Sequence, residues 1–133
     1  MPFLNLKLSA PLPKRVADQV AAALTDLTAE CLKKKRELTA VAVDLTEQGR
    51  WYLAGDAVAN TGHPTFYLDV KVTEGTNTKD EKARFVSAAF TALEGLLGDV
   101  APASYIVIHE LRADAWGYQG QSQEFRYIAS KAI

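Results

Sequence analysis

The residue with the clearest chemical potential is the proline that follows the initiator methionine. If Met1 is removed, Pro2 carries a secondary amine at the start of the chain. An ordinary α-amino group has a pKa of roughly 7.7–8.0, and burial in an apolar pocket lowers that pKa because it disfavours the charged ammonium. A base with a pKa close to neutral transfers protons most efficiently. Pro2 is therefore a candidate general base, although Met-Pro also begins many unrelated proteins.

Other reactive combinations are sparse. His63 and His109 lie in different predicted elements and lack the spacing of metal ligands. The single cysteine, Cys31, rules out an internal disulfide and fits a small core or interface residue. We find no Ser-His-Asp arrangement, phosphate loop or dinucleotide motif, and we predict neither a metal nor a cofactor.

The bulk composition narrows the class of protein. The 133 residues suit one domain, and 48% hydrophobic with 23% charged residues suits a globular core. A net charge of −1 argues against a nucleic-acid binder. No run approaches the roughly 18 apolar residues that would span a bilayer. The first ten residues lack the layout of a secretory signal, so we expect a cytoplasmic protein with no membrane partner.

The elements that would position Pro2 come from an internal repeat. Residues 4–8 read Leu-Asn-Leu-Lys-Leu, and residues 68–72 read Leu-Asp-Val-Lys-Val. Alternation of apolar and polar residues is the period of a β-strand. The chain therefore begins two similar units with two similar strands.

A helical pattern follows each of these strands. The first helix is predicted over residues 13–33, starting with a proline at the first helical position, where no needed donor is lost. The second is predicted over residues 79–97. Thr78 and Glu81 form a capping box at its start, and Gly98 is a plausible stop.

A second strand follows each helix, at residues 39–45 and 104–111. Both are near-continuously apolar, so both faces are expected to be covered. Segments rich in aromatic residues and glycine, at 50–55 and 115–120, then predict short hairpins. The predicted boundaries are 2–55 for repeat one, 56–64 for a linker, 65–120 for repeat two and 121–133 for a C-terminal segment, all within one domain.

Two such β-α-β units predict an α+β fold. Right-handed crossovers put four strands into one mixed sheet, with both helices on one face. The other face of the sheet is then uncovered and is expected to carry an apolar patch. We expect oligomerisation to cover it.

This pattern resembles the tautomerase superfamily, which includes 4-oxalocrotonate tautomerase and macrophage migration inhibitory factor. The resemblance rests on Met1-Pro2 followed at once by a strand, on residues 66–75 at the start of the second repeat, and on the Trp-Gly-Tyr hairpin within residues 105–120. It implies a homotrimer whose sheets face inward. It also implies a cofactor-independent tautomerase or isomerase of small 2-oxo acids and their enols, with Pro2 as the catalytic base.

The resemblance also implies a set of substrate-binding residues. Lys34 matches a lysine that borders the pocket in macrophage migration inhibitory factor, although it also fits a solvated helix end. Tyr105 matches a tyrosine that a neighbouring subunit contributes, although it equally fits interface packing. Trp116 and Tyr118 match the wall that the closing hairpin supplies, and Phe125 is expected to close the same pocket.

One departure from the family concerns the substrate carboxylate. Many relatives have an arginine in the turn after the second-repeat strand, where this chain has Thr76 or Asn77. Substrates with two carboxylates are therefore doubtful. Arg112 or Arg126 could supply a cation from another direction, although a surface charge is the favoured interpretation of each. Val70 completes the predicted substrate-binding residues.

Two alternative functions stay open. A decarboxylase, hydratase or dehalogenase of the same superfamily would need an acid that activates water, and Asp69, Glu110 and Asp114 are the candidates. A trimeric binding protein without catalysis is the third hypothesis, since retention of Met1 would leave Pro2 as an amide.

Overall fold

The computed structural model describes residues 2–9 and 11–131. The first repeat contains β1 (Phe3–Ser9), α1 (Lys14–Cys31), β2 (Ala40–Thr46) and a hairpin of β3 (Tyr52–Leu53) and β4 (Asp56–Ala57). The second contains β5 (Phe66–Thr73), α2 (Lys79–Leu97), β6 (Tyr105–Leu111) and a hairpin of β7 (Gly117–Tyr118) and β8 (Gln121–Ser122). A third helix, α3 (Gln123–Ser130), follows. The prediction about removal of Met1 concerns a residue outside the described ranges.

Four strands form one mixed sheet in the order β2-β1-β5-β6. β1 runs parallel to β2, β5 runs parallel to β6, and the two central strands β1 and β5 are antiparallel. The predicted α+β fold of two β-α-β repeats is confirmed. Each two-stranded hairpin stands apart from this sheet, and the first hairpin extends to Ala57, two residues into the segment predicted as a linker.

The core lies between the helices and one face of the sheet. Alternate residues of β1 and β5 point to this face because successive side chains of a strand alternate. Most of the apolar side chains that are 0–1% exposed come from these two strands and from one stripe on each helix: Leu4, Leu6, Leu8, Phe66, Leu68, Val70, Val72, Val20, Leu24, Phe85, Ala89 and Leu93. Val70 is therefore a core residue, and its predicted role in binding substrate is wrong for the described chain.

The helix boundaries follow from local chemistry. The backbone N–H of Glu81 donates to Thr78 Oγ1 at 3.1 Å, and the Thr78 N–H donates to Glu81 Oε1 at 2.9 Å, which confirms the predicted capping box. α2 ends at Leu97, before Gly98 with φ 95°. α1 begins at Lys14, one residue later than predicted. Pro13 is its extended N-cap and not its first helical residue.

The uncovered face of the sheet is more polar than predicted. The same alternation that buries leucine and valine turns Asn5, Lys7, Asp69 and Lys71 to this side. Lys71 Nζ donates to Asp69 Oδ2 at 3.1 Å, and Asn5 Nδ2 donates to Asp44 Oδ2 at 3.1 Å. The apolar residues of the outer strands largely pack on the helix side: Val41, Val43, Ile106 and Ile108. A continuous apolar patch is therefore absent from the described face, on which Phe3 and Tyr105 are the exposed aromatic residues.

The sequence analysis missed α3. Its first turn is capped by Ser122, whose Oγ accepts from the Phe125 N–H at 3.0 Å. The N–H of Gln123 donates to Trp116 O at 2.8 Å, which ties the helix to the second hairpin. No helix within residues 2–9 and 11–131 is long and apolar enough to cross a membrane.

Val70→Ala should lower the free energy of unfolding by about 2 kcal/mol, because it removes two buried methyl groups from the core. Urea denaturation of the purified protein measures this. Val86→Ala is the matched control, since Val86 lies on α2 with 37% exposure. Equal losses for the two variants would contradict the placement of the core.

Candidate active site

Pro2 lies at one end of the strands of the sheet. β1 and β2 begin at this end, and β5 and β6 finish at it. Phe3 pairs with Ala40 on one side and with Lys71 on the other. The carbonyl of Pro2 accepts a hydrogen bond from the Ala40 N–H at 3.3 Å, and Pro2 is buried. Its position is therefore fixed by hydrogen bonds and packing.

A cavity of about 580 Å³ opens at the same end of the sheet. Its walls come from the loop after α1, the turn after β5, the short turn after β6, and α3. The lining residues are Lys34, Thr73, Glu74, Gly75, Thr76, Ala113, Gln123, Arg126 and Tyr127. Pro2 is not among them. The antiparallel register, continued one residue past Phe3 and Lys71, sets Pro2 opposite Val72, next to the cavity wall at Thr73.

Lys34 is held in this cavity by the turn after β5. Its Nζ donates to Thr76 Oγ1 at 2.7 Å, and Thr76 Oγ1 donates to Thr73 O at 2.6 Å. Burial of the ammonium lowers the pKa of Lys34, and the negative charge of Glu81 only partly offsets this. The side chain is a partly desolvated cation that donates a hydrogen bond to the neutral hydroxyl of Thr76. Its charge is therefore not neutralised by this partner and can attract an anion.

Arg126 supplies the second cation of the cavity. Its guanidinium lies over the Tyr118 ring, 4.4 Å from the centroid. Nη2 donates to Gln119 Oε1 at 3.0 Å, and Nε donates to Tyr118 O at 3.4 Å. The second hairpin therefore holds this arginine, and Tyr118, which does not itself line the cavity, contributes through it.

Gln123 lies one helical turn before Arg126 and lines the same cavity. Its side-chain nitrogen Nε2 is buried and has no hydrogen-bond partner within the described part of the chain. An unsatisfied buried donor costs free energy, commonly about 1–3 kcal/mol. Together with Lys34 and Arg126 it gives the cavity three donor groups that fit an anion.

Arg112 does not line this cavity. It makes a bidentate pair with Asp114, with Nε to Oδ1 and Nη2 to Oδ2 both at 3.0 Å. The hydrogen bonds to Asp114 raise the pKa of Arg112, and those from Arg112 lower the pKa of Asp114. Of the two arginines that could supply a cation, only Arg126 is placed to do so in the described chain.

The other candidate acids are also paired. Lys82 Nζ donates to Glu110 Oε1, and this hydrogen bond lowers the pKa of Glu110. Asp69 lies on the uncovered face, where its Oδ1 is 3.0 Å from His109 Nε2. Neither acid lines the cavity beside Pro2.

Tyr105 is distant from Pro2 within one chain. It begins β6, four residues before His109, which lies in the row of Lys71 and Phe3. At the rise of an extended strand this is a separation of about 13 Å. Tyr105 is 56% exposed and does not line this cavity. Trp116 is half-buried in the second hairpin, and Phe125 is 54% exposed and lies outside the cavity lining.

Comparison with known proteins gives a family match for the second repeat. Residues 67–126 match the family described as Tautomerase enzyme. No curated protein matches the sequence.

Solved structures match the whole fold. "Q0 fused 4-OT wild type symmetric trimer" has a TM-score of 0.82 and 16% identity over 98% of this chain and 99% of that one. "Pt0534 Inactivated by 2-Oxo-3-pentynoate" has a TM-score of 0.84 and 14% identity over 93% and 98%. The macrophage migration inhibitory factor homologue from Prochlorococcus marinus has a TM-score of 0.74 and 22% identity over 90% and 97%. The predicted resemblance to the tautomerase superfamily is confirmed.

The pKa of Lys34 should lie below that of an ordinary lysine side chain, which is about 10.4. Because its folded pKa is lowered, the charged form disfavours folding at neutral pH, and this cost disappears as the pH rises through the folded pKa toward the unfolded one. NMR titration of the Lys34 ¹³Cε resonance, assigned with Lys34→Arg, measures this. A pKa at or above the ordinary value would contradict the buried placement.

Proposed function

We propose that this chain is a cofactor-independent tautomerase of small 2-oxo acids with Pro2 as the general base. The match of its second repeat to the Tautomerase enzyme family and the likeness of its fold to fused 4-OT structures support the proposal. The observation that carries the proposal is the buried position of Pro2 beside a cavity with two cationic side chains. The coarse class rests on the family, whereas the base and the substrate are our inference.

The proposed reaction moves one proton. The lone pair of a free Pro2 amine takes a proton from the carbon next to the 2-oxo group, and the electrons of that C–H bond form an enolate. A nearby cation stabilises the charge that develops on oxygen, a role for which Lys34 is suited. The Pro2 ammonium then returns the proton to a different atom of the substrate, and the amine is regenerated.

Burial supports this role for Pro2. Removing the ammonium from water lowers its pKa, which brings the amine closer to neutral and increases the fraction of free base. The ring also restricts the direction of the lone pair, because the nitrogen and Cα are closed into a five-membered ring and cannot rotate about the bond that joins them.

We propose a homotrimer as the active assembly, located in the cytoplasm. One similar structure is described as a symmetric trimer. The exposed Tyr105, remote from Pro2 in its own chain, would then reach the pocket of a neighbouring protomer. Trp116 and Tyr118 would line its wall and lower the local dielectric.

The internal repeat implies one catalytic site per chain. In the second repeat, Thr65 precedes β5 as Pro2 precedes β1. Thr65 is buried, its Oγ1 donates to Ala103 O at 3.0 Å, and it lies 3.0 Å from Ser104 Oγ. An internal residue has no terminal amine, so the second position cannot supply the base.

No observation favours the alternative chemistries. Glu110 and Asp114 are engaged in ion pairs and do not line the cavity, so the two acids named for activating water beside Pro2 are not placed for that role. A binding protein without catalysis is the outcome if the turnover test below fails.

Pro2→Ala should reduce turnover of phenylenolpyruvate by at least about 100-fold, the usual contribution of a general base. The assay follows the absorbance of the enol, using untagged protein whose intact mass shows that Met1 is absent. A chain with serine placed before Pro2 is the matched control, since it keeps the ring but converts its nitrogen to an amide. Wild-type turnover no faster than that of both variants would remove the proposed function.

The electrophile 2-oxo-3-pentynoate should attach once per chain, at Pro2. The amine would add to C4 of the alkyne, forming an N–C4 bond and breaking one C3–C4 π bond, with the proton going to C3. Intact mass and peptide mapping measure the number and position of adducts. Adducts on lysines at the same rate, or none on Pro2, would count against a reactive amine.

A further inference from the structure

We propose that α3 carries the carboxylate-binding group of the site, formed by Arg126 and Gln123, and that the site takes substrates with one carboxylate beside the 2-oxo group. The proposal rests on the proposed function for the identity of the reacting end. Binding of the carboxylate itself stands on the geometry of the cavity.

The first observation is how Arg126 is held. Its guanidinium is supported below by the Tyr118 ring and at one side by Gln119 and the Tyr118 carbonyl. The two hydrogen bonds, to Gln119 Oε1 and to the Tyr118 carbonyl, use two of the five N–H donors of the arginine side chain. A guanidinium fixed in this way presents its remaining donors in a planar fork that matches a carboxylate.

The second observation is the unsatisfied donor of Gln123. Gln123 and Arg126 are three residues apart on α3 and therefore lie on the same side of the helix. Both line the cavity, and Gln123 Nε2 is buried without a hydrogen-bond partner within residues 2–9 and 11–131. This nitrogen has almost no exposed surface, so the Gln123 side chain would turn into the cavity to donate to a ligand oxygen held by Arg126.

The third observation is the difference between the two repeats. The turn of the first hairpin is Ala54-Gly55 and leads to a short 3₁₀ turn at Val58–Asn60. The turn of the second is Gln119-Gly120 and leads to α3. Ala54 and Gln119 share a positive φ, 53° and 52°, so the two turns differ in the side chain at this position, and that of Gln119 binds Arg126. The helix and its arginine are thus present beside the cavity near Pro2 and absent from the equivalent place in repeat one.

The charges of the cavity select the substrate class. Arg126 suits a carboxylate, and Lys34 suits the adjacent oxo group or its enolate. Glu74 lines the same cavity and would repel a second carboxylate. In the turn after β5, Thr76 binds Lys34 and leaves it beside the cavity. With Arg126 on α3 and Glu74 in the wall, a monocarboxylate fits the cavity better than a dicarboxylate.

The test uses benzoylformate, a 2-oxo acid that cannot enolise, so that binding is measured apart from turnover. Isothermal titration gives the dissociation constant for benzoylformate and for its methyl ester. Arg126→Gln and Gln123→Glu should each weaken binding of the acid by roughly 10- to 100-fold, as expected for loss of hydrogen bonds to a charged group. Both should leave ester binding within about twofold, which also shows that α3 remains folded.

Arg112→Gln is the matched control, since Arg112 pairs with Asp114 outside the cavity, and it should leave binding of the acid unchanged. Weakening of acid and ester alike, or acid binding unaffected by Arg126→Gln, would overturn the proposal. Wild-type protein that binds benzoylformate through Arg126 but shows no turnover that depends on Pro2 would retain the carboxylate site and reject the proposed tautomerase.

Discussion

The constraint on which the site depends is the central position of β1 in the sheet. The first residues of a chain are usually loose, because few contacts hold them. Here Phe3 already pairs with β2 on one side and with β5 on the other, and its neighbours Leu4 and Leu6 are fully buried. A strand held along both edges cannot fray without breaking two ladders of hydrogen bonds. Pro2 therefore inherits a fixed and buried position from the strand that follows it.

The duplicated β-α-β unit accounts for the framework of the fold, and the candidate site lies where the two repeats differ. Each repeat supplies a strand, a helix, a parallel strand and a hairpin, and their antiparallel junction joins β1 to β5. The repeats differ where chemistry is expected. One begins with a residue that can carry a terminal amine, and the other places a buried threonine there. One hairpin leads to a short turn, and the other leads to a helix that carries an arginine into the cavity.

Much of the framework was predictable because it rests on local signals. Period-two alternation identified the strands, and Thr78 with Glu81 set the start of α2 without reference to the rest of the fold. The same alternation could have shown that Val70 is a core residue, since it shares a face with Leu68 and Val72. The helix α3 escaped because eight residues give too short a pattern to distinguish from a C-terminal tail.

The choice between the two arginines could not be made from the sequence. Arg112 and Arg126 both follow β6, and only the folded chain shows that Arg112 turns back to Asp114 while Arg126 lies on the Tyr118 ring. Side-chain partners that depend on how a hairpin meets a helix have no local signature. The same holds for Lys34, whose partial burial comes from the turn of the other repeat at Thr76.

The central claim is that Pro2 presents a free secondary amine whose surroundings favour the neutral form. The most direct measurement is an NMR titration of the ¹⁵N-labelled proline nitrogen in the untagged, assembled protein. We expect the Pro2 nitrogen to show a single titration, with a pKa below the roughly 7.7–8.0 of an ordinary α-amino group. A nitrogen that does not titrate, as in an amide, or one that titrates at or above the ordinary range, would contradict it.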